Sequence, residues 1–224
     1  MTPGGLCNTR RVASPQKNIR AVFFDVGGVL TTAVSTAIPE AARHSGVDLA
    51  AIGPTMREMF TADDTPNNPS HRLERGEITF DEFLAVTGDI GEEIRKLLHH
   101  EAPNNMFRFM TRHDGMNAFV DEVRSTGRHV GLISNVVAEW LPIWATYTDP
   151  IERFDTVVFS CASGLRKPGE GIFLRALEMS GMQPDEVLYL DDGQHMVDVA
   201  RRMGMHAIVV NEHASAIAEA RTYL

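Results

Sequence analysis

Cysteine is scarce: Cys7 and Cys161 are the only two in 224 residues. Two thiols so far apart suggest neither a disulfide framework nor a zinc site, and a reducing cytoplasm is the compartment expected. Long apolar runs are missing too. None approaches the roughly 20 residues that span a bilayer, so no membrane partner is expected. Residues 1–19 carry Pro3, Gly4, Gly5 and Pro15 without an apolar stretch, which does not make a signal peptide and reads as a flexible tail. An excess of basic residues is also absent. The 21 lysines and arginines face 30 acidic residues, a net charge of −9, which argues against nucleic-acid or anionic-membrane binding, since those partners select clustered cations. Taken alone, that charge disfavours a phosphorylated substrate as well. What is present is ordinary for a folded protein: 43% hydrophobic and 23% charged residues, on a chain long enough for one α/β core with a smaller insert.

Five short runs are apolar on both faces: Ala21–Phe24, Val130–Ile133, Thr156–Phe159, Val187–Leu190 and Ala207–Val210. That is the pattern of buried parallel strands. Amphipathic stretches at Asp114–Ser125, Gly171–Met179, His195–Met203 and Ala214–Tyr223 alternate with them. The alternation predicts an α/β fold, a doubly wound, Rossmann-like parallel sheet. Strands are lacking from about Thr32 to His113. That stretch holds helix-like pieces, Ser35–His44, Ala50–Phe60, Thr79–Val86 and Glu92–His100, with a Pro- and Asn-rich loop over Thr61–Ser70. The insertion is too long for a simple crossover. The expected organisation is therefore a tail over 1–19, an α/β core over 20–31 and 114–224, and a lid-like helical cap over 32–113.

Ligands of open α/β sheets bind outside the carboxyl ends of the strands. Strand one ends in Asp25-Val26-Gly27-Gly28, strand two in Ser134-Asn135, and strand four in Asp191-Asp192-Gly193, while Lys167-Pro168 lies between strands three and four. Asp25 can attack an electrophilic phosphorus to give an acyl-phosphate. Three carboxylates would repel a phosphate unless a divalent cation sat among them, and Asp25 with Asp191 and Asp192 makes a hard oxygen site of the kind Mg²⁺ accepts. Ser134 and neighbouring amides can hold phosphate oxygens, and Lys167 can pair with Asp25 and neutralise developing charge. Gly27 and Gly28 allow close backbone approach.

These residues resemble the haloacid dehalogenase-like hydrolase superfamily from about Arg20 to the C-terminus. Its four motifs are matched in order by Phe24-Asp25-Val26-Gly27-Gly28-Val29, Leu132-Ile133-Ser134-Asn135, Lys167-Pro168 and Asp191-Asp192. Within the cap region, Arg72–Phe83 looks like the cap of bacterial sugar-phosphate phosphatases akin to α-glucose-1-phosphate phosphatase, and more distantly like the phosphatase domain of soluble epoxide hydrolases. The resemblance implies a Mg²⁺-dependent phosphatase acting on a small phosphorylated metabolite through an aspartyl-phosphate. Asp25 would be the nucleophile, the Gly27 carbonyl and Asp192 would be metal ligands, and Asp191 would act through water or hold Lys167. Ser134, Asn135 and Gly28 would lie at the phosphate.

One departure stands out. Most phosphatases of this superfamily carry an aspartate two residues after the nucleophile, where it protonates the leaving oxygen; here that residue is Gly27. General acid–base help is typically worth about 10²–10⁴-fold. Three alternatives therefore stay open: a metal-independent 2-haloacid dehalogenase, which usually lacks the acidic pair; a weakly active phosphate-binding protein; and a receiver domain, whose acidic pair normally follows the first strand. His71, Arg72 and Arg75 read as a solvated helix face. His99, His100, His195 and His206 lack metal-ligand spacing, and Trp140 and Trp144, at i and i+4, line either a cleft or a dimer contact. Substrate and oligomeric state are open at this level.

Overall fold

The computed structural model describes residues 18–60, 65–148 and 151–224. Cys7, most of the tail expected over 1–19 and part of the loop expected over Thr61–Ser70 lie outside the described residues. Ile19, which the composition assigned to that tail, is buried in the core.

Five strands form one parallel sheet in the order β3-β2-β1-β4-β5. They are β1 (Ala21–Phe24), β2 (His129–Ser134), β3 (Thr156–Phe159), β4 (Val187–Asp191) and β5 (His206–Val209). The alternation of side chains along β1 assigns the two layers. Ala21 and Phe23 pack with Phe173, Tyr189 and Val197, whereas Val22 and Phe24 pack with Phe119, Val120 and Ile217. The doubly wound α/β arrangement expected from the sequence is thus the fold observed.

Among the described residues, six α-helices lie between β1 and β2 and five follow β2. Between β1 and β2 come α1 (Val34–Ser45), α2 (Leu49–Met59), α3 (Pro69–Glu74), α4 (Phe80–Val86), α5 (Gly91–Leu98) and α6 (Asp114–Ser125). The others are α7 (Leu141–Thr148), α8 (Ser160–Ser163), α9 (Glu170–Ser180), α10 (Gln194–Arg202) and α11 (His213–Arg221). No helix among the described residues is long and apolar enough to cross a membrane. In α5, Ile94, Leu97 and Leu98 turn inward while Glu92, Glu93, Arg95 and Lys96 alternate with them in sequence, the division that fixes an amphipathic helix on a core. The start of α4 is set by a capping box, with Thr79 Oγ1 accepting from the Glu82 N–H and Glu82 Oε2 accepting from the Thr79 N–H. One boundary differs from expectation. Pro69 and Ser70 are not loop but the first turn of α3, because Asn68 Oδ1 accepts from the Ser70 N–H at 2.9 Å and proline suits the first helical position.

The register positions the chemistry. Phe24 lies opposite Leu132 on one side and Leu190 on the other. The residues just beyond these three, on the central strand and both its neighbours, therefore emerge together at the carboxyl edge, where the strand order changes direction.

Candidate active site

Asp25 follows β1 directly. Its N–H donates to the Leu190 carbonyl at 2.9 Å, which continues the β1–β4 ladder by one residue and holds the side chain at the sheet edge. The next residues turn sharply, and Gly28 sits at a φ of 79°. A Cβ on Gly28 would collide with the Asp192 carboxylate. Glycine is required there both for the left-handed backbone and for the space it cedes to Asp192.

Lys167 is 2% exposed and reaches the same point from the loop after α8. Its ammonium lies 2.6 Å from Asp191 Oδ2, 3.0 Å from Asp25 Oδ1 and 3.0 Å from the Tyr189 hydroxyl. Asp191 is fully engaged: it also accepts from the Tyr189 hydroxyl and from the Gly193 N–H. It holds Lys167, one of the two roles expected of it. Asn135 clamps the lysine's backbone, donating from Nδ2 to the Lys167 carbonyl at 2.9 Å and accepting the Lys167 N–H at 2.8 Å. Its amide therefore positions Lys167, a role that residue type and spacing did not reveal.

Charge is crowded here. Ligand atoms of Asp25, Asp191 and Asp192 all lie within 4.8 Å of one another. Asp25 is held above the ordinary carboxylate range by burial, against which Lys167 pulls and to which Asp191 adds. Burial together with the charges of Asp25 and Asp191 pushes the Asp192 carboxyl up to about 7. Burial disfavours the Lys167 ammonium, but Asp191 and Asp25 outweigh it and leave its pKa raised. Tyr189 is driven well above its usual value by burial and by Asp191. One ammonium faces three carboxylates and touches only two of them, at Asp25 Oδ1 and Asp191 Oδ2. A hard divalent cation fits this set by donor chemistry: three clustered carboxylates give oxygen ligands and a negative charge that one ammonium does not balance.

A cleft of about 620 Å³ opens over these groups. Asp25, Gly27, Ser134, Asn135, Lys167, Asp191 and Asp192 all line it, so the structure brings together residues expected at three strand ends and the lysine expected between strands three and four. Trp140 and Trp144 line the same cleft, which settles which of their two expected settings they occupy within one chain. Glu74 lines it from α3 and accepts from Arg166 Nε at 2.8 Å, an ion pair between the helical insert and the loop that carries Lys167. Neither Glu74 nor Tyr189 was singled out by the sequence. Tyr189 could have been, since it lies two residues before Asp191 and so on the same face of β4; Glu74 and Arg166 are 92 residues apart and only the fold joins them. The solvated face expected of His71, Arg72 and Arg75 holds for Arg72 alone. His71 is buried and accepts from the Thr65 N–H at 2.9 Å, and Arg75 is largely covered, donating to the Pro66 carbonyl at 2.7 Å. The helix folds back on the preceding loop and covers them; none of the three lines the cleft.

Residues 19–204 match the haloacid dehalogenase-like hydrolase family. The chain belongs to the haloacid dehalogenase-like hydrolases. Among curated relatives of this hydrolase, acyl-CoA dehydrogenase family member 10 of Mus musculus is 29% identical, with 99% of this chain and 20% of that protein covered. Bifunctional epoxide hydrolase 2 of Rattus norvegicus is 26% identical, over 90% of this chain and 38% of that protein. The hydrolase thus spans between a fifth and two fifths of the length of these relatives. Its fold is shared with a predicted HAD-like family hydrolase from Porphyromonas gingivalis, at TM-score 0.66 and 26% identity over 91% of this chain and 98% of that one. It is shared too with a HAD family enzyme from Bacteroides thetaiotaomicron, solved in complex with magnesium and inorganic phosphate, at TM-score 0.61 and 21% identity over 85% and 93% of the chains.

Proposed function

We propose that this hydrolase is a Mg²⁺-dependent phosphomonoesterase acting on a small phosphorylated metabolite. The observation that carries the reading is the meeting of Asp25, Lys167, Asp191 and Asp192 on the floor of one cleft. Asp25, the Gly27 carbonyl and Asp192 would hold the cation, with Asp191 behind them on Lys167. When bound, Mg²⁺ supplies charge neutralisation that lets an anionic substrate approach three carboxylates. Asp25 attacks phosphorus in line with the leaving oxygen, forming an aspartyl-phosphate, which water then hydrolyses. Lys167 keeps Asp25 ionised and oriented and faces the charge that develops on the phosphoryl group. Ser134 and the amides around Gly28 and Asn135 stand at the strand ends, where phosphate oxygens need donors. The helices over residues 32–113 act as the cap of this site, and residues 20–31 with 114–224 as the core. The magnesium and phosphate named for the Bacteroides enzyme support the reading. A metal-free dehalogenation would leave the excess of carboxylates without a purpose.

Release of inorganic phosphate from a panel of phosphomonoesters, with and without Mg²⁺, tests this directly. Mg²⁺-dependent turnover that disappears in Asp25→Asn is expected. Halide release from a 2-haloacid in EDTA, with no phosphate released from any ester, would overturn it.

A further inference from the structure

The cleft offers a departing alkoxide almost nothing that could protonate it. Among the described lining residues, those beyond the strand-end floor with polar heads are Ser35, Arg57 and Glu74. A serine hydroxyl is too weak an acid and arginine does not release its proton; the Glu74 carboxylate is engaged by Arg166. Lys167 has three N–H donors and three acceptors already within 3.0 Å. At Gly27, a Cβ would have Trp144 Cη2 at 3.8 Å and Val34 Cγ2 at 3.9 Å as its neighbours. That corner is walled by an aromatic ring and an aliphatic side chain. The wall is also firm: Trp140 packs on Phe107 and Phe80 at ring separations of 5.4 and 6.2 Å, and Trp144 on Phe107 at 6.1 Å. Ile38 and Leu98 extend the apolar lining. Apart from the buried indole N–H groups of Trp140 and Trp144, that wall offers a polyol nothing to replace the hydrogen bonds it would give up to water.

We infer that the substrate of this site is an aryl phosphomonoester, its aromatic leaving group lying against Trp140 and Trp144 and departing as a phenolate. The inference rests on the phosphatase reading above. As the bond from Asp25 to phosphorus forms, the bond from phosphorus to the aryl oxygen breaks and its electron pair stays on that oxygen. The phenolate takes its proton from solvent. Water then cleaves the aspartyl-phosphate, restoring the carboxylate and releasing inorganic phosphate. A phenol gives up its proton at about 10, whereas an aliphatic alcohol holds its proton far more tightly, about as water does. The aryl oxygen leaves unaided; an alkyl oxygen does not. Glycine at position 27 is then matched to the substrate and is not a defect.

The isomers 4-methylphenyl phosphate and benzyl phosphate share size and apolar surface but differ in leaving-group acidity. Their kcat/KM values, which report only the steps through departure of the leaving group, should differ by about 10²–10⁴-fold in favour of the aryl ester, the span of the missing acid. Gly27→Asp should narrow that ratio at least about tenfold by restoring a proton donor. A wild-type ratio within about threefold, or faster turnover of glucose 1-phosphate than of the aryl ester, overturns the inference and leaves phosphatase activity standing. Binding is read separately. Trp140 and Trp144 are the only tryptophans, so their emission reports the cleft alone. Phenylphosphonate should quench it at a Kd at least about tenfold below that of methylphosphonate, and equal affinities would overturn the aromatic assignment. Quenching with no phosphate release from any ester overturns the phosphatase reading instead.

Discussion

Asp192 should cost the metal-free protein stability, and removing its charge should return it. Burial and the charges of Asp25 and Asp191 move the Asp192 carboxyl from an ordinary 3.8 to about 7. A raised carboxyl binds its proton more tightly in the folded state than in the unfolded one. Metal-free stability therefore falls as pH rises from about 4 through about 7, and the full penalty is present above that. At about 1.36 kcal/mol per pH unit the shift corresponds to about 4 kcal/mol. Asp192 is exposed to solvent at the cleft, so water screens it and about 1–2 kcal/mol is the expected net effect. In Asp192→Asn, which keeps the shape, the apparent Tm in EDTA at pH 8 should rise by about 2–8 °C for a chain of this length. The gain should shrink steadily towards pH 5. Mg²⁺ should raise the Tm of the wild type at pH 8 and that of the variant far less, since the cation relieves the same repulsion; the variant should also lose phosphatase activity. Differential scanning fluorimetry across pH, with EDTA or Mg²⁺, reads all of this. A gain that is equal at pH 5 and pH 8, or a loss of stability at pH 8, refutes the crowding argument.

Lys167→Ala leaves Asp25 and Asp191 facing each other at the buried floor without their ammonium, and should destabilise by about 3–5 kcal/mol, measurable by urea unfolding. Glu74→Gln removes the charge facing Arg166, itself 5% exposed; a loss of about 1.5–3 kcal/mol should appear with faster proteolysis of the helices over residues 69–98, and unchanged proteolysis there would count against a link between insert and core. Thr79→Ala breaks the capping box of α4 and should lower stability by about 1 kcal/mol, seen as a small Tm decrease with Mg²⁺-dependent turnover unaltered.

Much of the protein is written locally along the chain. Runs such as Ala21–Phe24 and Thr156–Phe159 are strands because both faces are apolar, and their bounds in the structure are those of the apolar run. The helix at Asp114–Ser125 likewise coincides with its hydrophobic period. The chemical identities of the floor residues were legible for a related reason. Asp25, Ser134 and the Asp191-Asp192 pair stand at strand ends, which in a parallel sheet converge whatever lies between them, and Lys167 stands in the loop between β3 and β4. The Asn68-Pro69 start of α3 was equally local but was outweighed by the turn-forming composition around it.

The sequence by itself therefore determined the sheet, the family's motifs and the carboxylate set with its lysine, because periodicity and strand order act over short range. Tertiary structure alone decided which groups are spent and which are available. Asn135 is consumed by the backbone of Lys167, Asp191 by Lys167 and Tyr189, and Glu74 by Arg166 across 92 residues. It also turned Trp140 and Trp144 into the cleft wall beside Gly27. Pairings of that kind depend on where the helical insert packs against the sheet. That packing is a sum of many weak contacts between distant segments, which no local pattern encodes.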